Sequence, residues 1–139
     1  MKKNGGNGAE EQIIEFYHQT TSSRSSPIDE RRFAGLATHL KRRLGRWLPD
    51  AGQSVLDLGC GTGELLYLMS ERGCTPLNGV NLCQEEIDKA REFVPATFHH
   101  CDLLEFLKLT NDTYDWIGCL NILEHLSKDE VLETLQLCN

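Results

Sequence analysis

The chain has 139 residues, with 14 Lys/Arg against 21 Asp/Glu and a formal net charge of −7. Hydrophobic residues make up 40% and charged residues 25%, which excludes wholesale disorder and suits one domain with a real core. No apolar run reaches the roughly 20 residues of a membrane helix, and none follows the basic start Met1-Lys2-Lys3, so neither a membrane partner nor a secretory signal is expected. Residues 1–50 hold nine Lys/Arg and six Asp/Glu, a balance of +3, whereas residues 51–139 hold five and fifteen, a balance of −10. So acidic a body argues against a nucleic-acid partner, which needs many cations on one surface. The six cysteines are Cys60, Cys74, Cys83, Cys101, Cys119 and Cys138. They form no Cys-x-x-Cys pair and have no His at zinc spacing, so no metal is expected and reduced thiols in a cytoplasmic protein are.

Residues 1–8 are polar and Gly-rich, which predicts a mobile tail. A short helix is predicted over 9–19, with Ile13, Ile14, Phe16 and Tyr17 on its apolar side. After a Ser/Thr-rich loop, Ser26 is placed to cap a long helix, with Pro27 in the first turn and Asp29 closing a weak capping box. Phe33, Leu36, Leu40, Leu44, Trp47 and Leu48 recur every three or four residues and predict one buried face, ended by Pro49-Asp50-Ala51-Gly52. From residue 53 the pattern alternates. Strands are predicted at 54–58, 76–80, 96–101 and 114–120, and helices at 64–72, 85–93, 103–109 and 128–137. The spacers are too long for hairpins, so the strands are parallel and joined by right-handed crossovers, an α/β fold. Residues 1–52 read as a tail and helical extension, and 53–139 as the α/β unit.

The most informative stretch is Val55-Leu56-Asp57-Leu58-Gly59-Cys60-Gly61-Thr62-Gly63-Glu64, a buried strand entering alternating glycines and then a helix. Glycines let the backbone turn sharply and approach a ligand, and the helix start offers free N–H groups. A P-loop needs a Lys, and none lies in 54–72. A dinucleotide site wants a small residue where Glu64 stands, so a nucleotide-binding Rossmann domain is the weaker alternative. The better fit is a ligand with a cationic centre and a carboxylate, such as S-adenosylmethionine.

Residues 54–137 resemble the class I S-adenosylmethionine-dependent methyltransferases. The resemblance rests on the glycine stretch, on Gly79-Val80-Asn81-Leu82, on Cys101-Asp102-Leu103, and on Tyr114-Asp115-Trp116-Ile117 through Leu120-Asn121-Ile122-Leu123-Glu124-His125-Leu126. It implies a Rossmann-like, doubly wound parallel sheet, incomplete at about four strands in the order 3-2-1-4. It further implies that Gly59, Cys60, Gly61, Thr62 and Gly63 meet the amino acid end of the cofactor. Asp57 would fix the loop and the ammonium, or cap the loop's own N–H groups. Asn81 stands where the family has an acidic residue for the ribose, so an Asn81→Asp change is expected to tighten binding. Asp102 would accept from the adenine amino group and the Leu103 N–H would reach a ring nitrogen. Leu82 and Leu103 would sandwich the adenine unless they are core. Asn121 would lie beside the reactive methyl. Asn121 and His125 are the candidate catalytic residues, with His125 as a general base or, with Glu124, a turn-stabilising group. His99 and His100 alternate on a strand, so one is expected buried and one exposed.

The family's sheet continues past a fourth strand, so the chain reads as the amino-terminal part of a longer enzyme. The implied partner is a small-molecule methyl acceptor. A cofactor-binding module without independent catalysis is the second reading. The fourth strand would be an open sheet edge, through which copies could pair.

Overall fold

The computed structural model describes residues 29–139; the predicted tail, the helix over 9–19 and the Ser26 and Pro27 cap fall outside them. The first described helix, α1 (Glu30–Leu44), is capped by Asp29, whose carboxylate accepts from the Arg32 N–H at 2.9 Å. Asp29 is therefore the cap itself and not the third residue of a box opened by Ser26. Its short carboxylate and extended backbone suit that position. Gly45, at φ +50°, ends the helix in a short 3-10 turn, Gly45–Trp47. That turn carries Trp47 off the apolar stripe, where it is 69% exposed under the Arg46 guanidinium, while Leu48 is buried again. The shared face predicted for Trp47 is thus corrected: the break in helical period rotates it to the surface.

Strands and helices then alternate as β1 (Val55–Leu58), α2 (Glu64–Glu71), β2 (Leu77–Asn81), α3 (Gln84–Phe93), β3 (Thr97–His100), α4 (Leu103–Leu109), β4 (Trp116–Gly118) and α5 (Lys128–Leu137). All pairings are parallel and the strand order is β3-β2-β1-β4, the expected doubly wound, Rossmann-like arrangement. β2 starts after Pro76, which has no N–H to give to the ladder. β4 is shorter than predicted at both ends, and at its start Asp115 is tied to Ser54. Its carboxylate accepts from both the Ser54 N–H and the Ser54 hydroxyl, each at 2.8 Å, which pins the start of β1 beside that of β4.

The sheet is covered on both faces, as alternation along each strand requires. Val55 faces a core with Phe33, Ala37, Leu65, Leu66, Met69, Ile87 and Ala90. Leu56 and Leu58 face the other, with Val80, Leu103, Leu104 and Leu107. Phe33 is 1% exposed between Tyr67 and Phe93, with ring centroids at 5.2 and 5.0 Å. Burying such a ring contributes about 1.5–3 kcal/mol, enough to fasten α1 to α2 and α3. A full capping box starts α5: the Ser127 N–H donates to Glu130, and the Glu130 N–H to the Ser127 hydroxyl. Among the described residues no helix is long and apolar enough to cross a membrane, and no cluster of His, Cys, Asp and Glu is suited to a metal. All six cysteines are free thiols.

Candidate functional site

Parallel strands bring their carboxyl ends to one edge, and in an open α/β sheet the crevice there is the ligand site. The expected residues gather at that edge. Asp57 is in β1, and the turn from Gly59 to Gly63 joins β1 to α2. Asn81 ends β2 and Leu82 follows it, Asp102 and Leu103 open α4 after β3, and Asn121 follows β4. Register keeps the ends level: Leu58 lies opposite Val80, and Asn81 opposite His100.

Backbone sterics set the shape of the turn. Gly59, Gly61 and Gly63 have φ of +74°, +53° and +88°, values that strain any residue with a Cβ. The Gly59 and Cys60 N–H groups both donate to Val80 O, at 2.8 and 3.0 Å, which lashes the turn to β2. A Cβ at Gly59 would strike the Ile122 side chain, with Cδ1 at 2.7 Å, and one at Gly63 would press on Ala90 and Val94 at 3.1 and 3.2 Å. Around Gly61 the space is open, and the nearest atom to a Cβ there is Glu86 Oε2 at 4.0 Å. No hydrogen bond among the described residues uses the Gly61 or Thr62 N–H. The turn therefore offers a backbone cradle for an acceptor group at the start of α2.

Asp57 is the charged residue beneath it. It is 3% exposed, and no hydrogen bond among the described residues reaches its carboxylate, so it does not cap the N–H groups of the turn. Burial, then the negative charge of Glu64, pushes its carboxyl up to about 8. Glu64 itself is offset by Arg32 Nη2 at 3.9 Å and accepts from the Thr62 hydroxyl. Burial likewise raises the Cys60 thiol, followed by the charges of Asp57 and Glu86, so Cys60 is no nucleophile.

At the end of β2 the Asn81 amide donates to Glu86 Oε2 at 2.8 Å. Glu86 belongs to the first turn of α3 and is a site residue the sequence reading missed. Leu82 is 48% exposed, whereas Leu103 is buried in the core. The Leu82 carbonyl accepts from His100 Nε2 at 2.9 Å. His100 is exposed and His99 half-buried, its ring tilted against Phe106 with centroids 4.7 Å apart, so the pair divides by face but neither ring is fully buried. Asp102 caps α4, its Oδ1 accepting from Leu104 N and Glu105 N at 2.8 and 3.1 Å, which leaves the Leu103 N–H outside the cap. Asn121 has φ +55°, a left-handed conformation that Asn tolerates better than most residues, and it is exposed. His125 is exposed in the 3-10 turn Leu123–His125 that follows β4.

A buried carboxylate and a glycine cradle whose N–H groups have no partner among the described residues together match a ligand bearing both an ammonium and a carboxylate. The amino acid portion of S-adenosylmethionine has that pair.

Comparison with known proteins agrees. Residues 55–139 match the profile of the family described as a methyltransferase domain. A ubiquinone biosynthesis O-methyltransferase of Aeromonas salmonicida is 30% identical over 90 residues, covering 58% of this chain and 37% of that protein. A crystal structure of an S-adenosylmethionine-dependent methyltransferase from Archaeoglobus fulgidus superposes with a TM-score of 0.62 at 28% identity, over 91% of this chain and 51% of that one. The magnesium protoporphyrin IX methyltransferase of Synechocystis, solved with bound S-adenosylmethionine, shares the fold at 17% identity and a TM-score of 0.62, covering 99% and 73% of the two chains. The chain thus spans about a third of the length of the curated relatives it matches, 34–37% of the first three.

Proposed function

This chain belongs to the class I S-adenosylmethionine-dependent methyltransferases, whose cofactor is S-adenosylmethionine, and from that premise we propose that it holds the cofactor at the carboxyl edge of β1–β3 for methyl transfer to a small-molecule acceptor. The observation that carries the proposal is the buried Asp57 beneath the glycine turn, whose carboxylate has no hydrogen-bond partner among the described residues. In this reading Asp57 takes the ligand ammonium, and Gly59, Cys60, Gly61, Thr62 and Gly63 line its amino acid end, with the Gly61 and Thr62 N–H groups on the carboxylate. Asn81 and Leu82 meet the ribose and adenine. Asp102 and the Leu103 N–H meet the adenine edge, with Asp102 using the oxygen its cap leaves over. Asn121, held in a left-handed turn, faces the acceptor.

When bound, the cofactor supplies a methyl group on a sulfonium that is already a good leaving group. The chain's own task is then positioning, excluding water and, where the acceptor is a hydroxyl, taking its proton. His125 is the residue for that last step if the acceptor approaches from the side of the Leu123–His125 turn. Residues 53–139 form the cofactor-binding unit, and residues 1–52 an extension whose α1 part closes one face of it. The small-molecule acceptor is supported by the relative named for ubiquinone biosynthesis.

Calorimetry with S-adenosylmethionine and S-adenosylhomocysteine tests the assignment. Micromolar binding is expected, and absence of heat at millimolar ligand overturns it. The second reading is a cofactor-binding module without independent catalysis. Binding without turnover on any acceptor would select it. β4, paired on one side by β1, is the edge through which we expect copies to associate, and a clean monomer by light scattering removes that expectation. Free thiols throughout fit a cytoplasmic setting.

A further inference from the structure

We propose that Glu86, rather than the residue at the end of β2, supplies the carboxylate that accepts the ribose hydroxyls of the cofactor, with Asn81 positioning it; the inference rests on the cofactor site proposed above. A neutral amide ends β2 where a carboxylate is expected, yet a carboxylate reaches the same place from α3. Glu86 Oε2 lies 2.8 Å from Asn81 Nδ2 and 4.0 Å from where a Cβ of Gly61 would be. It thus stands over the open part of the glycine turn, beyond the carboxyl ends of the paired strands β1 and β2. The bond also settles the orientation of the Asn81 amide. An ionised carboxylate only accepts, so Nδ2 must face Glu86, which leaves Oδ1 as the amide's acceptor. Chain geometry permits the exchange: Glu86 is in the first turn of α3, one turn past the strand end, and its side chain points back toward it.

A carboxylate can accept from vicinal hydroxyls more strongly than an amide oxygen can, because the bonds are charge-assisted. Together Glu86 and the Asn81 oxygen present acceptors for both hydroxyls. The arrangement also reverses the expectation for Asn81→Asp. A second carboxylate 2.8 Å from Glu86 Oε2 would force one of the two to hold a proton.

The test is calorimetry on the chain with S-adenosylhomocysteine and its 2′-deoxyribose analogue, using wild type, Glu86→Gln, Asn81→Asp and the exchanged pair Asn81→Asp/Glu86→Gln. Thermal unfolding of each variant reports its folding. Glu86→Gln is expected to weaken S-adenosylhomocysteine about 10-fold or more, the size of a lost charge-assisted hydrogen bond, and to abolish preference over the deoxy analogue. Asn81→Asp alone should weaken binding, and the exchanged pair should return to within about 3-fold of wild type, since it restores one carboxylate and one amide at the same place. Wild-type binding with Glu86→Gln unchanged in affinity and in deoxy discrimination overturns the role of Glu86 and leaves the cofactor site standing. If wild type itself fails to bind, the cofactor site falls and Glu86 with it. Should Glu86→Gln unfold, the exchanged pair decides: failure to discriminate the deoxy analogue refutes the proposal.

Discussion

Asp57→Asn is expected to stabilise the chain at neutral pH while destroying its cofactor site. The Asp57 carboxyl is pushed from an ordinary 3.8 up to about 8, by burial first and Glu64 second. Between those two values the folded chain binds a proton that the unfolded chain has released. Folding stability therefore falls as pH rises through that window and levels off above it. At about 1.4 kcal/mol per pH unit, the whole interval corresponds to about 6 kcal/mol. An asparagine in the same place would leave amide hydrogens without partners, a cost of about 1–3 kcal/mol. The expected net gain for Asp57→Asn is thus on the order of 4 kcal/mol at pH 8, vanishing or reversing near pH 4. Urea denaturation of both proteins at pH 4 and pH 8 measures it, and groups common to the two cancel in the difference. A gap that is the same at both pH values refutes the account of Asp57 as a buried, partnerless acid. The functional half uses calorimetry of S-adenosylhomocysteine in buffers of different ionisation enthalpy. Below pH 8 wild type should release about one proton on binding, as the ligand ammonium holds Asp57 ionised. Asp57→Asn should bind weakly and release none.

Three further outcomes follow from local geometry. Gly63→Ala places a Cβ 3.1 Å from Ala90 and 3.2 Å from Val94 at φ +88°, and should cost about 1–3 kcal/mol in chemical denaturation; an unchanged midpoint would show that the turn can relax. Asp102→Ala removes the acceptor for Leu104 N and Glu105 N and should cost about 1 kcal/mol, with Asp102→Asn recovering most of it, whereas equal losses for both would mean the cap is immaterial. The Asp115 carboxyl is held below the usual 3.8 by its bonds from the Ser54 backbone and hydroxyl. Its contribution is present above that value and lost as pH falls below it, so Asp115→Asn should flatten the acid limb of the unfolding curve; an identical acid limb would count against the clamp.

The sheet and its helices were legible because each element carries a local signal of its own. Leu65, Leu66, Leu68 and Met69 mark the buried face of α2, and Ser127 with Glu130 marks the start of α5. The glycine turn was legible because its three positive φ values admit little else. What failed was what depends on contacts between elements. Trp47 keeps the helical period in sequence but sits past Gly45, and only the altered backbone there shows that it turns outward. Asp115 looks like a strand residue until Ser54, distant in sequence, binds it. Glu86 was passed over because a family pattern directs attention to the strand end, whereas the carboxylate is contributed from the next helix. Whether Asp57 caps the turn or is left for a ligand is open in the sequence, and the hydrogen bonds of the turn among the described residues remove the first role by leaving the carboxylate out.

The charge imbalance of residues 51–139 gains a local meaning at the glycine turn. Asp57, Glu64 and Glu86 all stand around it, and each is accommodated differently. Glu64 is offset by Arg32 from α1 and by the Thr62 hydroxyl. Glu86 accepts from Asn81. Asp57, with no such partner among the described residues, is accommodated by holding a proton. A pyrophosphate placed on this turn would meet two carboxylates and could recruit no cation from α2, whose first turn holds Glu64 and whose last holds no Lys or Arg. At carboxylate separations of a few ångströms, such repulsion outweighs what a helix N-terminus offers an anion, about 0.3–1 kcal/mol. A ligand entering with a cationic amine and a sulfonium instead relieves the repulsion, pairs Asp57 and leaves its own carboxylate for the N–H cradle. The glycine spacing alone admits both ligand classes; the acidic residues set around it select the cationic one.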